Sequence, residues 1–430
     1  MHQSYGKLIK LTRIEKNMKQ EELCEGICTP SYLSRIENDR VVADEQIYKL
    51  LLYKLGVEVK KDVIDIEQID AQIEQWYEHF LMNKEPSINI EALKEKARST
   101  NNETYLKFKL IYCRYLLKSN KLEEVKKYIS ELEKIPMLNK RINFLFTNVL
   151  ILFYYKDKKY NKAIESAEKF INLSRFDSFA TPLETGKFYY DLALNFKDLY
   201  QYKDSISFTK KALDIFNEWY FLELALKCHV LLGICYNNSQ KFSQALHSYE
   251  GAQRVIPFLP EKNHSYYLSI INNNIGKCYE NINNYQLALH YYLNSSETEK
   301  NEDKMVNTLN IIRCYYKLGK VKDARYWLEI AKKNIQPNTS NKHLFQIKIF
   351  NVVLHDNNFP IAELKKLEEE CIIFFKAENL INYIIFYCKV FAQLYKERKL
   401  YKKVSEMYEL ALQTMESLKM EGKVNMLIKE

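Results

Sequence analysis

Arg35 lies in the run Thr29-Pro30-Ser31-Tyr32-Leu33-Ser34-Arg35-Ile36. Its guanidinium carries parallel donors that match O6 and N7 of guanine in the major groove of DNA. That chemistry needs a slim helix with small or polar neighbours. Ser31, Tyr32 and Ser34 supply them, while Leu33 and Ile36 are placed to face inward. A second set of polar side chains recurs along the rest of the chain: Arg114, Asn148, Lys187, Tyr190, Lys227, Asn237, Asn273, Lys277, Arg313, Lys389 and Gln393. Asn bonds a peptide backbone as donor and acceptor together, and Lys and Arg suit carboxylates. No acid falls in this set. Such a surface fits a short peptide with acidic side chains or a free C-terminal carboxylate. No nucleophile–base pair, Gly-rich phosphate loop or metal motif is present, so neither an independent enzyme nor a cofactor is expected. Cys24 and Cys28 stand four apart, but a metal needs two further ligands. His2 and His79 are too distant to supply them, and both thiols are read as small core residues.

The elements that position Arg35 occupy residues 1–66. Tyr5, Leu8, Ile9 and Thr12 mark one face of a first helix. Residues 20–27 read as a short second helix, broken at Cys28 and Thr29. Thr29 is a good N-cap and Pro30 a good first residue for a third helix, because its missing amide hydrogen would be unbonded there anyway. Asp44 then caps a fourth helix through Ile47, Leu50, Leu51 and Leu55, and Gly56 ends it. Two short helices joined by a tight turn describe a helix-turn-helix.

Composition bounds the rest. The 430 residues hold 9 Gly and 8 Pro, against roughly 30 and 20 at average usage. Few turn residues imply an all-α chain with short connections. A net charge of +9 permits a nucleic-acid partner without demanding one. No apolar run approaches the roughly 18 residues of a membrane span, and the start MHQSYGKLIK has no signal-peptide core. Nine scattered cysteines suit reduced thiols, so a cytoplasmic location is expected.

Residues 67–430 carry the repeat. After a charged connector over residues 57–70 and a first helical pair interrupted near Pro86, small or apolar residues open each second helix at Val125, Ala163, Ser205, Ala245, Ala288, Ala324 and Val404. Seven residues on stand Leu132, Phe170, Ala212, Ala252, Ser295, Ala331 and Ala411. A weaker unit spans residues 342–377, and a capping helix is expected from Ser417. About nine helical pairs stacked in this way form a right-handed superhelix, with the first helix of each pair on its concave side. The polar set listed above is the projection of those first helices.

Two resemblances follow. In residues 227–257, Leu232, Gly233, Tyr236, Ala245, Tyr249, Ala252 and Pro257 match the spacing of the tetratricopeptide (TPR) motif. The pattern Arg-x6-Gln-Glu-Glu-Leu from Arg13, followed by SYLSRIEN from Ser31, resembles the phage-repressor class. That likeness implies that Gln20 bonds a phosphate, that Pro30, Ser31 and Arg35 read bases, and that Thr29 and Arg40 lie near backbone phosphates. It also implies a buried pair between Arg13 and Glu37.

The combined layout resembles the peptide-pheromone-responsive regulators of Gram-positive bacteria, the PlcR/NprR/Rap type. The resemblance implies a homodimer on inverted-repeat double-stranded DNA, controlled by a short signalling peptide in the concave groove. Two alternatives stay open. One is a Rap-like protein that engages a response regulator, for which Gln68, Gln72 and Gln75 are position-level candidates. The other is a thiol-based redox sensor using Cys24 and Cys28.

Overall fold

The computed structural model describes residues 5–38, 40–57, 66–84, 88–98, 100, 102–133, 139–173, 179–295, 301–355 and 359–427. They form helices and turns, with no strand among them. Four short helices come first: α1 (Gly6–Glu15), α2 (Gln20–Cys24), α3 (Pro30–Glu37) and α4 (Glu45–Lys54). Leu8, Ile9, Leu11, Leu23, Leu33, Ile36, Leu51, Leu52 and Leu55 build their core. The Thr29 hydroxyl accepts from the Tyr32 amide, and the Asp44 carboxylate from the Gln46 amide, so both expected caps are in place. The second helix is shorter than expected. Its path turns off at Gly26, whose φ of +76° belongs to the left-handed region that ends helices. Leu50, at helical spacing on α4, is exposed.

Eighteen further described helices make nine consecutive pairs. They are α5 (Ile66–Leu81), α6 (Ile90–Arg98), α7 (Asn102–Lys118), α8 (Leu122–Leu132), α9 (Lys140–Lys156) and α10 (Tyr160–Leu173). Next come α11 (Pro182–Asp198), α12 (Tyr202–Glu218), α13 (Leu222–Asn238), α14 (Phe242–Val255), α15 (His264–Asn281) and α16 (Tyr285–Asn294). The last are α17 (Asn301–Lys317), α18 (Val321–Lys333), α19 (Asn341–His355), α20 (Ile361–Ala377), α21 (Ile381–Glu397) and α22 (Tyr401–Leu427). The connector over 57–70 falls largely on residues 58–65, and the break near Pro86 on 85–87; both lie outside the described residues. No separate capping helix starts at Ser417, because α22 runs through it without a break.

The repeat works through volume. Val125, Ala163, Ser205, Ala245, Ala288 and Ala324 are all fully buried, as are the residues seven positions on. Val404 is the one of the aligned openers left half-buried. Gly233 shows why small residues are needed. A Cβ there would stand 2.3 Å from Tyr249 Cε1, so the tyrosine of the second helix lies directly on the backbone of the first. The turns inside the pairs need few glycines because other residues take the left-handed conformation: Asn83, Asn120, Lys158, Tyr200, Gln240, Asn283 and Lys399. Asn tolerates that region better than most, since its side chain bonds locally.

The chain divides into two compact units, Met1–Leu199 with Ser207–Phe221, and Tyr200–Ile206 with Leu222–Glu430.

Candidate functional site

Helix α3 presents the surface predicted for reading DNA. Thr29, Pro30, Ser31, Arg35 and Arg40 are exposed, while Tyr32 and Ser34 are half-buried at its edge. Leu33 and Ile36 hold the opposite face in the core with no exposure. Arg35 thus stands clear of the domain on a helix of eight residues whose entry is fixed by the Thr29 cap.

The orientation of α3 is set from below. Arg13 Nε and Nη2 donate to the two Glu37 oxygens at 2.6 and 2.9 Å, and Nη1 donates to the Met18 carbonyl at 2.8 Å. The Glu37 side chain has no exposure. Gln20, expected at a phosphate, instead donates its amide to Glu37 Oε2 at 2.7 Å. The reason is charge: a buried carboxylate draws every donor within reach. Lys10 adds a bond to Asn38 Oδ1 at 2.9 Å.

The far end of α1 is clasped by the first pairs of the array. Glu15 receives Lys109 Nζ at 2.7 Å, the Tyr105 hydroxyl at 2.8 Å and Arg98 Nη2 at 3.3 Å. Burial pushes the Glu15 carboxyl up, but Lys109, Tyr105 and Arg98 together outweigh it and hold it below the usual range. A depressed folded-state pKa gives stability that is present above the unfolded value of about 4.3 and is lost as pH falls through the folded value. Glu15→Gln should therefore reduce hydrogen-exchange protection of α1 at pH 7, by about 1–2 kcal/mol for a lost charge-assisted bond. The gap to the native chain should close below pH 4. Equal protection at pH 7 would show that the clasp carries no energy.

In the first unit the inward positions are not a bare basic wall. Arg114 is buried, reaches Asp191 at 3.4 Å and lies over the Tyr77 ring. Burial pushes the Asp191 carboxyl up, while Arg114 and Lys187 pull it down. Asn148 is buried and donates to the Phe144 carbonyl of its own helix. Lys187 and Tyr190 are half-buried on α11. Arg141 is neutralised by Glu184 at 2.7 Å and Glu74 at 2.9 Å.

In the second unit one carboxylate gathers several predicted residues. Glu280 accepts both Arg313 Nε and Nη2, the latter at 2.8 Å, together with the Tyr292 hydroxyl at 2.8 Å and Lys277 Nζ at 3.2 Å. Arg313 also bonds Asn310 Oδ1 at 2.6 Å, and Asn310 donates to Asn273 at 3.0 Å. Burial works against the Glu280 charge, but Arg313 and Lys277 hold the carboxyl far below its ordinary range. The expectation of an acid-free inner face is corrected here: Arg313 is buried and already paired, and only Lys277 keeps part of its head exposed. Lys227 pairs with Glu223 at 2.7 Å, and Asn237 is buried and accepts from Asn281. These two are therefore engaged within the array.

Sequence reasoning missed Lys317 and Phe386. Arg313 and Lys317 both lie over the Phe386 ring, at 5.6 and 5.8 Å from its centre. Burial and the neighbouring Lys389 charge lower the Lys317 pKa. Lys389 is exposed, and so is Gln393, which bonds Glu397 at 3.1 Å. Lys317 stands one helical turn after Arg313, which was the available signal. Lys277 and Arg313 thus bond the Glu280 carboxylate, Lys317 lies near it and Lys389 lies near Lys317, an excess of positive charge beside an aromatic ring.

The cysteines do not support redox sensing. Cys24 is buried, and burial, then Cys24, pushes the Cys28 thiol up, whereas a reactive thiol needs a lowered pKa. No group of three or more metal-ligating side chains occurs among the described residues, and none of their helices is long and apolar enough to cross a membrane. Gln68 and Gln75 are exposed on α5 and Gln72 is half-buried.

Comparison with known proteins fits this geometry. Residues 9–59 match the helix-turn-helix family HTH_3. The chain is 24% identical over 415 residues to the transcriptional activator NprA of Geobacillus stearothermophilus, covering 92% of this chain and 99% of that protein. Its fold is similar to the apo form of the quorum sensor NprR from B. thuringiensis, with a TM-score of 0.67 and 18% identity over 81% of this chain and 99% of that one. It is similar also to a Rap protein complexed with Competence and Sporulation Factor, with a TM-score of 0.66 and 16% identity over 82% of this chain and 99% of that one. A helix-turn-helix at the N-terminal end, a likeness along nearly the whole of an activator and a fold similar to those of NprR and a Rap protein make the chain similar to the helix-turn-helix–TPR regulators of the NprR and Rap type.

Proposed function

We propose that this chain is a sequence-specific DNA-binding transcriptional regulator, acting as a homodimer on an inverted repeat and controlled by a short anionic peptide bound on the inner face of its array. The observation that carries the reading is the cationic patch of the second unit. Lys317 and Lys389 lie beside the Glu280 carboxylate's pairs with Arg313 and Lys277, one negative charge among four positive ones, with Phe386 as an apolar floor. Crowded cations repel one another, and a carboxylate ligand relieves that repulsion. NprR, whose fold is similar, has been solved with its cognate peptide NprX. Arg35 and its neighbours on α3 supply the DNA-reading surface.

Titration calorimetry tests this with short synthetic peptides encoded by a reading frame beside the gene, each with a free and an amidated C-terminus. Replacing Lys317 and Lys389 together by Ala should weaken binding of the free-acid peptide by about 2–4 kcal/mol, as for two charge-assisted bonds. Operator affinity without peptide should not change. Equal affinity of native and variant chains for both peptide forms would remove the patch as the binding site. Arg313 is unsuitable for this test, because its loss would strand the buried Glu280 charge.

A further inference from the structure

A cleft of about 290 Å³ opens in the first unit between α6 and α8, with α7 as its floor. It stands at the lower end of the range of about 300–1,000 Å³ usual for small-molecule sites, so it has room for a metabolite of amino-acid size. Tyr105, Phe108, Lys109 and Tyr112 line it at positions i, i+3, i+4 and i+7, one stripe of α7. One end is closed. Lys109 Nζ bridges Glu15 at 2.7 Å and Glu131 at 3.0 Å, and Arg98 is held by Glu15. The other end is looser. Tyr112 and Tyr128 are half-buried there, with ring centres 6.5 Å apart and planes at 80°, so they form a corner. Burial, then the nearby Glu124 charge, pushes the Tyr128 hydroxyl up to about 12. Glu124 is half-buried, and among the described residues it forms no ion pair or hydrogen bond. Across from it, Lys94 of α6 stands over the Tyr112 ring at 5.5 Å. The pair that Lys94 makes with Glu91 is 3.7 Å long and exposed on the Glu91 side, so it holds little.

The two walls differ in sign. α6 gives the cleft Lys94 and Arg98, while α8 gives it Glu124 and Glu131, with Lys127 exposed at the rim. A purely anionic ligand would meet the carboxylates of one wall, and a purely cationic one the cations of the other. An uncharged ring would cover Glu124 without giving it a partner. We propose that the cleft binds a free aromatic amino acid as its zwitterion, with the carboxylate at Lys94, the ammonium at Glu124 and the side-chain ring in the corner of Tyr112 and Tyr128. Stacked on one tyrosine, that ring meets the other edge-on, and both arrangements are favoured between aromatic rings. The site shares no residue with the cationic patch of the second unit, and its closed end is the clasp on α1. Occupancy therefore stiffens the helices that hold α1.

Titration calorimetry of the full chain with L-phenylalanine tests this, with circular dichroism to verify folding of each variant. Two analogues dissect the charges: 3-phenylpropanoate lacks the ammonium, and phenethylamine lacks the carboxylate. L-phenylalanine should bind, and each analogue should bind about tenfold more weakly. Glu124→Gln should weaken L-phenylalanine about tenfold without weakening 3-phenylpropanoate, which has no cation to offer Glu124. Lys94→Gln should weaken L-phenylalanine to a similar degree without weakening phenethylamine. Hydrogen exchange should slow on α6, α7, α8 and α1 when L-phenylalanine is added. No binding at millimolar concentration would overturn the proposal, as would equal binding of all three compounds by native and variant chains. Protection confined to helices other than these four would overturn it as well. None of these outcomes touches the peptide reading, which rests on other residues.

Discussion

Arg35→Ala is expected to abolish discrimination among operator sequences while leaving the fold intact. Arg35 is exposed on α3, with Leu33 and Ile36 behind it holding the helix in place. A guanidinium paired with guanine O6 and N7 is worth about 1–3 kcal/mol, and two half-sites add roughly, giving about 2–6 kcal/mol for a dimer. Arg40→Ala is the contrast. It should weaken binding to all sequences alike and reduce the salt dependence by about one phosphate contact. Competition binding with single-base operator variants separates the two. An Arg35→Ala protein that ranks the variants as the native chain does would remove Arg35 as a base reader.

The second large effect is expected inside the same domain. Arg13→Ala would leave Glu37 buried with Gln20 as its remaining donor among the groups that bond it here. Breaking a buried pair from one side costs about 3–5 kcal/mol, a large share of what a domain this small possesses. Hydrogen exchange of α1 to α4 in the full chain should show the loss as faster exchange across all four helices. The combination Arg13→Met with Glu37→Leu should recover most of it, because packing can replace an ion pair once neither charge is stranded. Unchanged exchange in Arg13→Ala would mean that water or another donor satisfies Glu37.

What was legible in the sequence was local. Thr29 as a cap, Pro30 as a first helical residue and the small residues from Val125 to Ala324 depend on backbone geometry and side-chain volume, which a repeat displays openly. The Arg13–Glu37 pair came from a motif that preserves a three-dimensional contact. What was not legible depended on partners distant along the chain. Glu280 stands four residues after Gly276, as Asn237 stands after Gly233, but what fixes its role is Arg313, which comes from the next pair. Phe386 reaches Arg313 and Lys317 from two pairs further on, and no local period announces that. Gln20 shows a different limit. Its position at the start of α2 was right, but the choice between a phosphate and Glu37 is made by its rotamer and by a buried charge. Leu50 shows the limit of a hydrophobic pattern, since an apolar residue at helical spacing can still face outward.

The clasp on Glu15 has a mechanical meaning. α7 carries Lys109, which grips the end of α1, and Arg114, which reaches Asp191 on α11. The two cations are five residues apart, about 7.5 Å along a stiff helix. α1 in turn carries Arg13, two residues from Glu15, which holds the end of α3. Ion pairs thus link α11, α7, α1 and α3 in series, a route by which a displacement of α7 would reach α3. Leverage makes a small rotation sufficient. Half-sites lie about 34 Å apart, so turning a reading helix by about 5° about the opposite half-site carries it about 3 Å. That is close to the length of a hydrogen bond. Distances between spin labels on the α3 helices of the proposed dimer, taken with and without the proposed peptide, would measure the angle. In the proposed dimer such a linkage would need no unfolding and no large domain swing, only a few degrees of misalignment between two otherwise intact reading heads, to change the fit to an operator.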